Sequence, residues 1–275
     1  MKSKKLSPGK VLVYLLLIVG SVFMIGPFIW SVLTSFKTLT ESVQMPPQFL
    51  PSSWALTNYI DVWNALPFLA FFRNTFLMIL GRVVISTILC ALAGYSFARI
   101  KFKGSGILFT ILLIPMMVPG QIYLLPQFMI VARLGWLNTV IALIVPGMAS
   151  VVGTFFMRQF FKTVPAEIEE AAELDGCSVP QTFFRVVLPL AKTPLTTLAI
   201  FTTLFAWGDL MWPLIVNTRQ DQMTLSAGLA FLQGQFTTNF PQLMAGSVIA
   251  TIPIIIAFLF FQRAFIQGIA QTGGK

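Results

Sequence analysis

The stretch "EEAAELDGCSVPQTFFRVVLPLAKTPL", Glu169 to Leu195, decides how this chain is read. Five acids fall within the nine residues from Glu167 to Asp175, and long apolar segments stand on both sides. A patch of that charge does not lie in hydrocarbon, so it sits in water or against a partner. Over the whole chain 56% of residues are hydrophobic, 10% are charged and none is histidine. Those values lie outside the range of soluble globular domains.

The apolar residues come in blocks rather than stripes: Val11–Leu33, Asn74–Ala98, Ile107–Val131, Thr139–Phe161, Thr196–Val216 and Leu243–Phe261. Each holds about 19 to 25 residues, enough to cross a hydrocarbon core of roughly 30 Å at about 1.5 Å per residue. The pattern predicts an all-α polytopic membrane protein with six transmembrane helices. The first block follows four lysines in Met1–Lys10 but lacks a small-residue cleavage site, so it reads as a retained span rather than a signal peptide. Cys90 and Cys177 fall in a span and in the acidic segment, which points to neither a disulfide nor a metal site.

Lysine and arginine report topology here rather than nucleic-acid binding. With both termini inside, thirteen of them lie on the inner side and Lys37, Arg73, Arg133 and Arg219 on the outer, leaving Arg82 within a span. That is a positive-inside bias, and it makes the acidic stretch cytoplasmic. The expected organisation is a cytoplasmic tail over 1–10, a transmembrane domain over 11–268 with a cytoplasmic segment over 163–190, and a tail over 269–275. On the outer side, Thr38–Arg73 and Asn217–Gln242 are long. The third block contains "IPMMVPGQIYLLP", whose Pro115, Pro119 and Pro126 leave carbonyls without intrahelical donors. It reads either as a kinked structural helix or as one lining a pathway.

The acidic segment has the local signals of two short helices. Pro165 suits a first turn, and Glu167, Glu169 and Glu170 complement the positive end of the helix dipole. Gly176 marks the turn, with Ser178 as N-cap and Gln181 at the capping-box position of the second helix. Phe183, Phe184, Val187 and Leu188 give that helix an apolar face, and Pro189 ends it at the membrane. A capped helix–turn–helix with an apolar face reads as a docking element. A pair lying on an anionic inner leaflet would carry lysines in place of acids.

Glu170-Ala171-Ala172, Gly176 and Val186-Val187-Leu188-Pro189, at these spacings, resemble the EAA signature of ABC importer permeases. The resemblance extends through "NYIDVW", "YSFARIKFKG", "AWGDLMWPL", "LMAGSVIATIP" and "QRAFIQGIAQ" to the six-span carbohydrate-type permeases of the maltose-importer kind. Two departures are Gly208, where the family usually has asparagine, and the tail Gln271–Lys275. The resemblance implies a permease subunit in the cell membrane of a prokaryote, paired with a second permease. It also implies two copies of a cytoplasmic ATPase that uses ATP and magnesium, and an extracytoplasmic solute-binding protein that delivers a sugar or polyol. Glu170, Ala171, Ala172, Gly176, Phe183, Leu188 and Pro189 would then dock the ATPase. No cofactor, metal or nucleic acid is expected for this chain. Neither Gly9-Lys10 nor Gly274-Lys275 has the glycine and the Ser or Thr of a Walker A loop. An ion-coupled carrier is the alternative, and it would need more buried acids or histidines than this chain has. A membrane enzyme would need a nucleophile–base pair or metal ligands, and the sequence shows no such constellation.

Away from the inner ends of the spans, where Arg158 stands, charge within them is confined to Arg82 and Asp209. Each costs roughly 2.5–3.5 kcal/mol at a helix centre. Counted inward from Asn74 and Val216, both lie roughly 10–12 Å below the same surface, so they read either as a pair inside the bundle or as Arg82 snorkelling outward and Asp209 bonding Trp207 or a partner subunit. Trp207 and Trp212 read either as faces for a sugar or as an interfacial aromatic belt. In the outer segment, Ser226, Ala227, Gly228 and Leu229 belong to an apolar run too short to span. They are candidates for contact with the binding protein or for packing on the neighbouring permease.

Overall fold

The computed structural model describes residues 8–233 and 238–273, with side chains from 9 to 233 and from 238 to 262. Lys2, Lys4 and Lys5 of the amino-terminal tail, Gly234 to Phe236 of the outer apolar run, and Gly274-Lys275 lie outside the described residues. Among the described residues all regular structure is helical. The chain divides into two compact units: Met1–Leu66 with Leu229–Ile254, and Pro67–Gly228 with Ile255–Lys275.

In the first unit, α1 (Pro8–Ser35) is a long apolar helix that carries Pro27 within it. A short α2 (Leu39–Val43) follows, closed by a capping box between Thr38 and Glu41. Then comes α3 (Thr57–Ala65). Asn58 donates to the carbonyls of Ser35 and Lys37, both at 2.9 Å, and so fastens α3 to the end of α1. Those carbonyls are among the unpaired acceptors that any helix end leaves.

The second unit is built on α4 (Phe68–Arg99), which carries buried residues along its length. After it come α5 (Ser105–Leu113), α6 (Gln121–Arg133), α7 (Val140–Ile144), α8 (Val151–Thr163) and α9 (Ala166–Leu174). They are followed by α10 (Val179–Leu190), α11 (Lys192–Trp207), α12 (Met211–Val216) and α13 (Leu225–Ala230). The last helix, α14 (Phe240–Gly273), begins in the first unit and ends in the second.

Three helices, Gly9–Ser35, Phe68–Arg99 and Phe240–Gln262, are long and apolar enough to cross a membrane unbroken. The other crossings expected from the sequence are broken. The third bends by 105° between Ser105–Met117 and Gln121–Arg133, where Pro115 starts a 3-10 turn and Val118 is extended before Pro119. Pro126 is tolerated inside α6. The fourth bends by 45° between Val140–Gly147 and Val151–Thr163. That break corrects the unbroken span expected over 139–161, and its cause is Pro146. The fifth, expected to run to Val216, stops at Trp207 and resumes as α12 after Gly208-Asp209-Leu210. At its other end Lys192–Trp207 meets Val179–Leu190 at 77°, and with each of the three bent pairs counted once, up to six spans result among the described residues.

Side chains satisfy the backbone at the fourth break. Pro146 has no N–H to give to Ala142, and the Ala142 carbonyl instead accepts from Trp212 Nε1 at 2.8 Å. The next carbonyl, Leu143, accepts from Arg82 Nε at 2.7 Å. Arg82 Nη1 also meets Asp209 Oδ2 at 2.8 Å, so the two charges pair, with Arg82 buried. Around them Met78, Val131, Ala142, Leu143, Ala206, Trp212 and Val216 form one apolar cluster.

The outer segment after α12 folds back onto the unit. Asn74 donates to the carbonyls of Asp221 and Met223 at 2.9 and 3.0 Å, and Thr75 Oγ1 accepts from the Leu225 amide at 2.8 Å. Asn138, at φ 58°, accepts from the amides of Thr218 and Arg219 at 2.8 and 2.9 Å.

Removing one partner of a buried ion pair costs about 3–5 kcal/mol, because the remaining charge is stranded. Arg82→Asp and Asp209→Arg should therefore each lower the yield of folded subunit and its melting temperature. The double exchange should recover part of the loss. Recovery should stay partial, since an aspartate at position 82 cannot donate to Leu143. A double variant no better than the worse single one would show that the pair contributes nothing.

Candidate functional site

The segment expected to dock a partner is a helix–turn–helix, and its residues fall on two sides. Pro165 stands one position before α9, as its N-cap. At the carboxyl end Gly176 has φ +82°, and the Cys177 amide returns to Ala172 O at 2.9 Å. That is a left-handed helix end, which favours a residue without Cβ. The second helix opens as its sequence indicates: the Ser178 amide and hydroxyl both donate to Gln181 Oε1, at 2.8 and 3.1 Å. Thr182–Val187 then widens into a π-turn before Pro189. Pro189 cannot donate to the Arg185 carbonyl, and a wider register is one way a helix absorbs such a gap.

The phenylalanines do not all face outward, as their apolar stripe suggests. Phe183 is buried, with its ring 4.8 Å from Tyr95 of α4 and 6.2 Å from Phe161 of α8. Tyr95 and Phe161 themselves meet edge to face at 5.6 Å. Ala172 is also buried, and Leu188 packs at the margin of the same cluster. Of the seven docking candidates, Glu170, Ala171, Gly176 and Pro189 are exposed. Phe183 instead holds the segment to the rest of the unit, and Ala172 is buried. A period-3.6 pattern shows that a helix has an apolar face but not which neighbour that face meets.

A polar clamp reinforces this inner face. Arg99, the last residue of α4, lies with Nε 3.0 Å from Glu169 Oε1, an ion pair with both side chains less than a fifth exposed. Arg99 also donates to the Val164 carbonyl in the connection that leads into α9. The Tyr95 hydroxyl donates to the other Glu169 oxygen at 3.3 Å. Arg158 of α8 donates to Phe97 O at 3.1 Å and stacks on Phe109 at 3.9 Å. Sequence reasoning misses Tyr95 and Arg99. The only available signal was that "YSFAR" stands at the inner end of a span, which a topology count reads as one more inside arginine.

The pathway candidates separate likewise. Trp212 is buried with its N–H satisfied by Ala142, so it is neither an open face for a sugar nor part of an aromatic belt. Asp209 and Arg82 form the internal pair. Trp207 is half-buried beside the break, and its carbonyl accepts from the Ser226 hydroxyl at 2.9 Å. The expected outer contact run also turns inward. Ala227 and Gly228 are buried, and a Cβ on Gly228 would lie 2.2 Å from the Phe71 ring. Of the run Ser226 to Leu229, the two middle residues therefore offer no surface to a binding protein.

Residues 86–271 match the family model described as binding-protein-dependent transport system inner membrane component. The arabinooligosaccharides transport system permease protein AraQ of Halalkalibacterium halodurans is 35% identical, over 94% of this chain and 96% of that one. The sn-glycerol-3-phosphate transport system permease protein UgpE of Pectobacterium atrosepticum is 30% identical, over 94% and 95%. A bacterial ABC transporter involved in the import of the acidic polysaccharide alginate shares the fold, with a TM-score of 0.81 at 20% identity over 96% of this chain and 98% of that one. This multi-pass membrane chain belongs to the binding-protein-dependent transport system inner membrane components, and it is a carbohydrate-type ABC importer permease subunit, not an enzyme.

Proposed function

We propose that the chain pairs with a second, different permease to enclose the path of a sugar or related polyol. In this reading an extracytoplasmic protein delivers the solute, and two copies of a cytoplasmic ATPase, using ATP and magnesium, drive the cycle. The substrate class is supported by the relatives, which are named for arabinooligosaccharides and for sn-glycerol-3-phosphate, both rich in hydroxyls. The lysine and arginine distribution supports cytoplasmic termini. In this reading the crossings correspond to the six apolar blocks of the sequence, the third, fourth and fifth of them broken. Family membership does not favour an ion-coupled carrier.

One observation carries the docking role: the 163–190 segment is clamped on one side and exposed on the other. Glu169 and Phe183 secure it to α4 and α8, while Glu170, Ala171, Gly176 and Pro189 remain exposed. A partner that grips the exposed strip pulls on α4 through Arg99 and Tyr95. Closure of the ATPase then becomes movement of a membrane-spanning helix.

Two substitutions separate gripping from pulling. Gly176→Val should leave the subunit inserted, because the space around Gly176 is open. A β-branched residue at positive φ strains the turn, and its side chain stands on the docking strip. ATPase retention on the purified complex should fall about tenfold or more, a loss of at least 1.4 kcal/mol. Retention equal to the parent complex would remove the docking role. Arg99→Met should instead keep the ATPase bound while lowering solute transported per ATP hydrolysed. Unaltered coupling would show that the clamp is not the transmission. Glu167→Gln should change neither, since exposed rim charges contribute little.

A further inference from the structure

A second cluster of buried polar groups lies in the first unit, where α1 leaves the apolar region. Lys37 is only 2% exposed, yet it makes no ion pair among the described residues. Its Nζ donates to the Gln48 carbonyl at 2.5 Å and sits 4.2 Å from the centre of the Trp30 ring. A carbonyl and a π-face compensate an ammonium only in part, and a third N–H remains to be used. One turn earlier Thr34 is 7% exposed, and among the described residues its hydroxyl has no hydrogen-bond partner. That is unusual for this helix. Ser31 and Ser35 return their hydroxyls to the carbonyls of Pro27 and Val32, at 3.0 and 2.6 Å. Buried polar groups are normally paired, so an unpaired one beside an under-compensated cation points to a missing ligand.

Both residues line one open crevice of about 450 Å³. Glu41, Ser31 and Ser42 add to its polar side, and Gly26, Pro27, Trp30, Pro47, Phe240 and Met244 form the rest of the wall. The amides of Thr38 and Ser52 hydrogen-bond Glu41, at 2.8 and 3.1 Å. Led by the Thr38 bond, they hold its carboxyl below the usual carboxylate range, so it is ionised at neutral pH. The crevice thus offers one positive and one negative group above a largely apolar wall. It opens beside α1, whose most apolar window has no buried residue.

We infer that this crevice binds a phosphoethanolamine lipid at the membrane boundary. The phosphate lies against Lys37 and Thr34, the ammonium faces Glu41, and the first acyl carbons run along Pro27, Phe240 and Met244. A zwitterion with N–H donors satisfies both charges at once. A phosphoglycerol head offers Glu41 only neutral hydroxyls and leaves its charge uncompensated, and a choline head has no N–H to give. A carbohydrate is disfavoured because Lys37 already covers a face of Trp30, and because most of the wall is apolar. Which leaflet supplies the lipid rests on the proposed topology, and the binding chemistry does not.

The test uses the complete transporter reconstituted in vesicles of phosphatidylethanolamine, phosphatidylglycerol and phosphatidylcholine in equal parts. The complex is then extracted in mild detergent, and lipid retained per complex is measured by mass spectrometry. The parent complex should retain phosphatidylethanolamine several-fold over the other two. Thr34→Val, which keeps the shape and removes the hydroxyl, should reduce that preference, and Lys37→Met should abolish it. Lys37→Arg should preserve most of it. Equal retention of the three lipids by the parent complex would overturn the assignment without recourse to any variant. So would an unchanged preference in Thr34→Val, or a crevice closed by the neighbouring permease with no lipid retained. The Gly176→Val and Arg99→Met outcomes do not bear on this result, so the lipid site and the docking role fail separately.

Discussion

A helix that breaks inside a membrane leaves carbonyls with no water to receive them, and the larger unit of this protein depends on answering that demand. Each unpaired backbone group in hydrocarbon costs several kcal/mol on the order of a lost hydrogen bond or more. At the break beside Pro146, two consecutive carbonyls are met by side chains from two other segments, Trp212 and Arg82. The guanidinium that serves Leu143 brings a charge with it, and Asp209 stands at the break after α11 to compensate. A proline in one crossing and an aspartate in another are thereby parts of one solution. At this break the irregular backbone is met by side chains rather than left unpaired.

The same logic of divided duty runs through the cytoplasmic segment. A docking element must remain attached to the protein that it moves while offering a free surface to the protein that moves it. In 163–190 the attachment is aromatic and ionic at once: the Tyr95–Phe161–Phe183 cluster resists separation, and the Arg99–Glu169 pair fixes orientation. Apolar contact is non-directional, whereas an ion pair at a helix end specifies where that end must lie. Together they make a joint that transmits force without slipping.

Much of this was legible from residues alone. Block lengths gave the number of crossings, and lysine and arginine gave an expected orientation. Gly176, Ser178 and Gln181 carry local signals strong enough to place a turn and a cap, because capping is decided within four residues. Matched depth made a pair of Arg82 and Asp209 one of the readings, and the structure shows that pair. What was not legible depends on contacts distant in the chain. Pro146 sits in a run apolar enough to hide its effect, and nothing near Trp212 in sequence indicates that its N–H answers a carbonyl seventy positions away. Ser226 to Leu229 looked like an outward surface because the run is apolar and too short to span. Its burial is set by Asn74, Thr75 and Phe71, some 150 residues earlier.

The five acids from Glu167 to Asp175 therefore do not form a single patch. Glu169 turns inward, accepts from Tyr95 and pairs with Arg99, while Glu167, Glu170, Glu173 and Asp175 stay exposed. A chain that needed only a soluble loop would place its charges wherever water reaches. Here one acid is taken out of water, at a desolvation cost that its ion pair and the tyrosine hydroxyl offset. The neighbouring Glu170 keeps its hydration and its freedom to meet a partner. Adjacent residues on α9 lie about 100° apart around the helix axis. One step in sequence is thus enough to separate the group that holds the joint from the group that offers it.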